Sequence, residues 1–435
     1  MKKLSKYNYW YSLRNKTVLY NILSDELLVL LPPIVSLIKE NITDIDKIGS
    51  LHPDLYQVLL DMSMIVDDTV DESELVIEMW RKEDMNSEAF SMTINPTLDC
   101  NLQCWYCYEK HSSASKMSQE TLRALCLLMK KKIENESLKI FNINFFGGEP
   151  LLYYSEVMRP LLQYAKDLCD KNNKVLNLSA TTNGVLLSKG IIADWSGYTT
   201  NSPLNLQITI DGNRKQHDKV RKTINEEPTY NLIVKNIKEC LFAGCKIMVR
   251  FNYTHENANT FIDVIKDFSD VPLEYRDMLS FAFHQVWQDK PTDFIEQEIE
   301  TISQYFKDEK FRVEHPSKIS RNRCYADNPN HIVVNYNGHI YNCTARDFTN
   351  TNREGLLTDD GAIKWETRYY ERRKVVYGNN TCRKCRIFPI CHGGCSQNKL
   401  EAGNKGCIKG YTKNDIEKLL EKRISLILTE NIENE

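Results

Sequence analysis

Residues 95–110 read NPTLDCNLQCWYCYEK, with Cys100, Cys104 and Cys107 spaced by three residues and then by two. Four thiolates normally close an iron–sulfur cube. Three leave one iron open, and an open iron can bind and activate a ligand. A triplet can also hold zinc if a distant histidine supplies a fourth ligand. The position of the triplet is informative, because it follows directly on the run Ser91 to Pro96, which reads as a strand.

Outward from this run, apolar strands alternate with amphipathic helices from residue 90 to about residue 290. Ile140 to Phe146, Val175 to Thr181, Leu204 to Ile210, Lys246 to Tyr253 and Leu279 to Val286 are the further strand candidates. Helices are expected between most of them, for example from Ser118 to Glu134 and from Tyr154 to Cys169. Repeated βα units make an α/β fold with a parallel sheet. Curved on itself, six such units form a partial barrel of the (β/α)6 kind, with its site at the C-terminal strand ends. The triplet sits at such an end.

Residues 1–88 lack cysteine motifs. Lys6 to Leu13 and Thr17 to Leu23 read as a hairpin around Asn15-Lys16. Ser24 is a candidate N-cap for a helix broken or restarted at Pro32-Pro33. Further helices are expected near Pro53 to Met62 and Asp71 to Arg81. A hairpin with short helices is what a small winged-helix-like unit would show. Residues 311–410 are cysteine-rich, with HIVVNYNGHIYNC (331–343) reading as a hairpin that turns at Asn337-Gly338. Lys413 to Leu428 reads as one amphipathic helix. The expected segments are therefore 1–88, 89–310, 311–410 and 411–435.

A chain of 435 residues with net charge -3 is long enough for two or three domains. It is too balanced in charge to argue for nucleic-acid or anionic-membrane partners. MKKLSKYNYWYSLRN lacks the apolar run of a signal peptide. Val18 to Ile38 is interrupted by Asp25, Glu26 and Pro32-Pro33, too polar for a membrane span. The expected location is the cytoplasm. There, 14 cysteines point to metal or cluster ligation rather than disulfides. Cys126 and Cys240 fall on apolar helical stripes and are expected to be buried structural residues; Cys169 and Cys245 take the same reading with less support.

Three further motifs stand at strand ends. Phe146-Gly147-Gly148-Glu149-Pro150 closes the second strand, and Thr182-Asn183-Gly184 follows the third. Thr209-Ile210-Asp211-Gly212 ends the fourth, with His217-Asp218-x-x-Arg221 beyond it. Taken in this order with the triplet, residues 92 to about 290 resemble the core of the radical S-adenosylmethionine (SAM) enzymes. The resemblance implies that Cys100, Cys104 and Cys107 bind a [4Fe-4S] cluster. It implies that Gly147, Gly148 and Glu149 contact the methionine amino group of SAM, with the Glu149 carboxylate pairing with the ammonium. Asn183 and Thr209 would face the ribose, and Arg221 is a candidate for the SAM carboxylate. The reaction implied is reductive cleavage of SAM to a 5′-deoxyadenosyl radical that takes a hydrogen from an unactivated carbon.

Cys324, Gly338, Cys343, Cys382, Cys385, Cys391, Cys395 and Cys407 resemble in their spacing a SPASM domain, a carrier of auxiliary iron–sulfur clusters. By resemblance, Cys382, Cys385, Cys391 and Cys407 would bind one [4Fe-4S] cluster, and Cys324, Cys343 and Cys395 another. That makes three clusters in all. Some relatives have a fourth cysteine shortly before the position of Cys324; here that stretch is HPSKISRNR, with none. A zinc-ribbon-like fold is the structural alternative.

Radical SAM with SPASM resembles the maturases of ribosomally made peptides, which are related to anaerobic sulfatase-maturating enzymes. This implies a precursor peptide with a leader as partner, a one-electron reductant such as flavodoxin or ferredoxin, and oxidative side-chain crosslinking through thioether, C–C or C–O bonds. Residues 1–88 would then grip the leader, or else only pack on the core. A sulfatase-type maturase forming formylglycine is one alternative. In that family an aspartate follows the cysteine that matches Cys343; here Thr344 stands there, and Asp347 is the nearest aspartate. A non-catalytic iron–sulfur electron-transfer or scaffold protein is another. Asp347, His284 and Tyr253 are candidates for groups near the substrate.

Overall fold

The computed structural model describes residues 1–13, 16–199, 202–314 and 321–433. The chain forms two compact units. Asn86–Pro316 and Asn328–Tyr369 make the larger one; Met1–Met85, Ser317–Asp327 and Tyr370–Glu435 make the other. Residues 311–410 are divided between the two units.

Among the described residues, the larger unit is built on an 11-stranded sheet. In spatial order its strands are Arg312–Glu314, Leu279–Gln285, Lys246–Tyr253, Asn205–Ile210, Val175–Thr182, Ile140–Phe145, Ala89–Ile94, His331–Val334, His339–Tyr341, Gly355–Leu357 and Ile363–Trp365. The first eight run parallel. The remaining three are antiparallel additions. Six of the parallel strands lie where the apolar runs predict them. Of the other two, Arg312–Glu314 is only three residues long, too short to show a period, and His331–Val334 is the first arm of a predicted hairpin. The predicted hairpin of residues 331–343 forms, with Val334 opposite Ile340. It joins the main sheet beside the first strand rather than standing apart.

Burial explains the order. Val175–Thr182 alternates strictly between buried and half-buried residues. Leu279–Gln285 begins with five buried residues, as a strand covered on both faces should. Gln119–Ile133 opens where the Ser118 hydroxyl accepts from the Thr121 amide at 3.2 Å. It lays Leu122, Leu125, Met129 and Ile133 on the sheet, and Lys130, Lys131 and Lys132 face its negative C-terminal end. The second predicted helix is regular only over Arg159–Lys171, with a looser π turn at Tyr154–Met158 before it. Phe251, Phe281, Phe283 and Phe306 are fully buried together, Phe281 and Phe306 at 4.7 Å between rings. Each such side chain contributes about 1.5–3 kcal/mol.

In the other unit the strands Asn8–Leu13, Lys16–Asn21 and Glu26–Leu30 form an antiparallel meander. The predicted hairpin is present, though Asn15 lies outside the described residues. The helix expected from Ser24 is absent. Asn21 Oδ1 accepts from the Leu23 and Ser24 amides, and Asp25 takes φ 65°. This tight turn sends Glu26–Leu30 back as a third strand, and the helix begins only at Pro32. Pro53–Asp61 and Glu72–Met85 match the other two predicted helices. The winged-helix-like reading is carried no further than these elements.

The middle strand works on both faces, as a period of two requires. Leu19 packs with Leu30, Val35, Ile38 and Leu59 on one side. Val18 and Tyr20 pack on the other with Trp80, Cys382, Phe388, Leu420 and Ile424. Residues 1–85 thus share a hydrophobic core with the cysteine-rich segment and with the long helix Lys413–Glu433. Cys169, Cys240 and Cys245 are buried as expected, whereas Cys126 is only partly so.

Candidate active site

A cavity of about 110 Å³ opens at the C-terminal ends of the parallel strands. Cys100, Cys104, Cys107, Gly147, Gly148, Asn183, Thr209 and Arg221 all line it. The sequence motifs, as far as 121 residues apart, therefore converge on one place in the larger unit. Burial raises the three thiols, Cys100 up to about 12 and Cys107 up to about 11. Among the described residues no three His, Cys, Asp or Glu side chains converge on a single metal ion.

The two glycines have a steric role that geometry makes plain. A Cβ on Gly148 would lie 2.1 Å from the Asp99 carbonyl oxygen, and one on Gly147 2.3 Å from that of Thr97. Gly147 also sits at φ 111°. The Gly148 amide donates to Thr97 O at 3.2 Å and the Glu149 amide to Asp99 O at 2.8 Å. The end of the second strand is thus fastened to the backbone that carries Cys100. What presses on both glycines is protein backbone.

Glu149 is fully buried. Its Oε1 accepts from the Leu151 amide at 3.0 Å and from the Thr182 hydroxyl at 2.8 Å; its Oε2 accepts from the Asn183 amide at 2.8 Å. Desolvation raises its pKa, and these hydrogen bonds oppose the rise. Asn183 Nδ2 donates to Asn101 Oδ1 at 2.7 Å and reaches the Cys100 sulfur at 3.8 Å.

Arg221 belongs to a polar hub whose other members, Tyr106, Asp211 and Asn252, were missed as site residues by sequence reasoning. The Tyr106 hydroxyl is 2.7 and 2.9 Å from the two Asp211 oxygens, and it accepts from Arg221 Nη1 at 2.8 Å and Asn252 Nδ2 at 3.1 Å. Arg221 and Asp211 are buried and 3.8 Å apart. Arg221 Nε is buried without a hydrogen-bond partner among the described residues. An orphaned guanidinium donor at such a cavity fits a ligand carrying a carboxylate. His111, also missed, places Nε2 3.5 Å from the Cys107 sulfur. The signal available in sequence was the tyrosine inside the triplet and the aspartate after the fourth strand.

Of the other candidates in this unit, His284 and Tyr253 stand near the ends of adjacent strands, the His284 ring pulled down to about 4 by burial. Asp347 pairs with Lys110 at 3.6 Å. Beside it, Glu109 is buried and pushed up to about 8 by desolvation and by the Asp347 charge.

In the other unit, Cys385 lies within electrostatic reach of Cys407 and Cys382, and Cys391 within reach of Cys385, Cys382 and Cys407. Local structure sets them out. Asn379 caps the turn by accepting from the Cys382 amide at 3.0 Å, and its Nδ2 ties down Gly406 O at 2.9 Å, next to Cys407. After Cys391 the chain passes through three left-handed residues, His392, Gly393 and Gly394. Burial lowers the Lys399 ammonium, while Cys382, Asp327, Cys391 and Cys395 raise it. Cys324 and Cys395 fall in this unit and Cys343 in the larger one, so the second cysteine set rests on spacing.

Parts of the chain are similar to known proteins. Residues 94–268 match the Radical SAM superfamily. A cysteine-type anaerobic sulfatase-maturating enzyme of Clostridium novyi is 28% identical over 156 residues, 35% of this chain and 40% of that protein. A probable GTP 3′,8-cyclase of Methanococcus aeolicus is 33% identical over 104 residues, 24% of this chain and 32% of that protein. Less than half the length of either relative is matched. Among solved structures, native anSMEcpe with bound AdoMet has a TM-score of 0.60 at 18% identity, covering 79% of this chain and 100% of that one. Streptococcus suis SuiB bound to precursor peptide SuiA has a TM-score of 0.50 at 16% identity, covering 92% and 97%. The match to the radical SAM model thus spans residues 94–268, and the chain has an α/β fold like that of these solved structures. No described helix is long and apolar enough to cross a membrane.

Proposed function

We propose that this chain is a peptide maturase that uses radical SAM chemistry to oxidise side chains of a ribosomally made precursor, by crosslinking them. The observation that carries the reading is the convergence of the triplet, the glycine pair and Arg221 on one strand-end cavity. A solved structure of like fold is one with a precursor peptide bound.

Cys100, Cys104 and Cys107 would hold a cluster whose open iron, with SAM, supplies a radical able to take hydrogen from carbon. The protein's part is placement. Gly147 and Gly148 lock the strand end onto the cysteine loop. Glu149 joins the ends of the second and third strands and leaves lone-pair capacity for an ammonium. Arg221, held from behind by Tyr106 and Asp211, offers Nε to a carboxylate. Asn183 and Thr209 remain as candidates for the ribose side.

Cys382, Cys385, Cys391 and Cys407 would hold an auxiliary cluster able to accept an electron. Residues 311–410 are in this reading an auxiliary-cluster segment, and residues 1–88 a leader-binding one, with Glu26–Leu30 an edge strand that a peptide can extend. A flavodoxin- or ferredoxin-type reductant and a cytoplasmic location go with it. The likeness to the Clostridium enzyme favours a second reading, a sulfatase-type protein maturase; Thr344, in place of an aspartate, speaks against it.

The test is anaerobic expression in the source organism beside a Cys100→Ala control, with co-purifying peptides compared by mass spectrometry. A peptide lighter by a pair of hydrogens per event, only with the active chain, is the expected result. A modified protein cysteine or serine instead would establish the second reading.

A further inference from the structure

Lys399 is 1% exposed, among the most deeply buried charged groups in its unit. Its ammonium donates to Val375 O at 3.0 Å. Among the described residues no carboxylate lies within ion-pair distance of it. Asp327, the buried acid whose charge reaches Lys399, is already engaged by the Ser396 hydroxyl. An ammonium left this way inside a protein is strongly disfavoured unless a negative charge faces it.

The geometry shows what faces it. A Cβ on Gly393 would lie 2.7 Å from Lys399 Nζ and 3.3 Å from the Cys382 sulfur. Both atoms therefore border the same small space above Gly393, which is kept free of a side chain and left-handed at φ 73°. We propose that Lys399 is the buried counter-charge of the group held by Cys382, Cys385, Cys391 and Cys407, and that it sets that group's reduction potential. This rests on the auxiliary-cluster reading given above. Four thiolates outweigh the positive charge of an iron–sulfide core, so the assembly is anionic. Each added electron makes it more so, and a fixed cation nearby favours the reduced form. Removing the cation should lower the potential.

The test compares the anaerobically purified, cluster-loaded wild type with Lys399→Met, Lys399→Gln and Lys399→Arg. Iron and sulfide are counted, and the auxiliary signal is followed by redox titration with electron paramagnetic resonance. A lower midpoint potential in the Met and Gln chains at full iron, with the Arg chain close to wild type, is expected. Loss of auxiliary iron from the two neutral variants, with retention in the Arg chain, supports the same role. Unchanged potentials at full iron overturn the role of Lys399 and leave the cluster reading standing. Equal loss of iron in all three variants also overturns it, since charge is then not what matters. Wild-type iron sufficient for the Cys100 set only, unaltered by Cys382→Ala, overturns both.

Discussion

The Tyr106 hydroxyl accepts from Arg221 at 2.8 Å and stands 2.7 Å from Asp211, so one tyrosine inside the cysteine triplet joins a buried acid to a buried base. Its oxygen is saturated, since Asn252 also donates to it. Tyr106→Phe leaves these groups short of a partner in a dry site, at a cost of about 1–3 kcal/mol. The expected outcome is a lower melting temperature and roughly tenfold weaker SAM binding by calorimetry, about 1.4 kcal/mol, with triplet iron retained. Unchanged SAM affinity would remove Arg221 from the ligand site.

Gly148→Ala drives a Cβ into the Asp99 carbonyl. The cysteine loop must shift. The measurement is iron content together with deoxyadenosine formation: both should fall, with auxiliary iron kept. An alanine variant with wild-type SAM cleavage would show that the loop yields without consequence.

Replacing Cys100, Cys104 and Cys107 by alanine should abolish deoxyadenosine formation. Replacing Cys382 and Cys385 should instead remove auxiliary iron and leave SAM cleavage uncoupled from peptide modification. Full iron in the second variant would exclude those cysteines as ligands.

His331 is buried against Thr93, 3.2 Å from its hydroxyl, and burial holds its pKa down at about 4. Between that value and the ordinary 6.5 the unfolded chain binds a proton that the folded chain refuses. Stability should therefore fall as pH drops through this window, by about 3 kcal/mol in total, and be insensitive to His331 above it. Urea unfolding at pH 7 and pH 5 checks this: His331→Gln should lose part of the wild-type slope.

Removing residues 1–85 should do more than weaken peptide binding. Val18, Tyr20, Val76 and Trp80 cover Phe388, Leu420 and Ile424, and the Trp80 and Phe388 rings meet edge to face at 4.9 Å. The truncated chain is expected to lose auxiliary iron and to aggregate. Selective loss of leader binding, measured by fluorescence anisotropy, is expected instead of Val29→Asp, an exposed change on the edge strand. Equal affinity in that variant would count against this strand as the docking edge.

Much of the larger unit was legible because its strands carry long apolar runs and its motifs sit at their ends. Lys246–Tyr253 has the bounds that its pattern predicts. Arg312–Glu314 is too short to carry a period, and His331–Val334, legible as a hairpin arm, was not legible as the neighbour of Ala89–Ile94. Glu26–Leu30 was hidden for a local reason: the Asn21 turn overrides a plausible Ser24 cap. The site was legible by residue type, yet its support was not. Tyr106 and Asp211 matter through a contact across 105 residues, and the pressure on Gly148 comes from a carbonyl that no pattern reveals.

The core shared by residues 1–85 and the C-terminal helix has a consequence for synthesis. Val76 leaves the ribosome long before Leu420, its companion in that core. At about 5–20 residues per second the early segment waits on the order of tens of seconds with an apolar face uncovered. The larger unit, encoded between the two, can finish first. Cys382 and its neighbours are made after the larger unit, so that unit can fold before they receive iron, and a holding chaperone for residues 1–85 is expected to raise the yield of loaded protein.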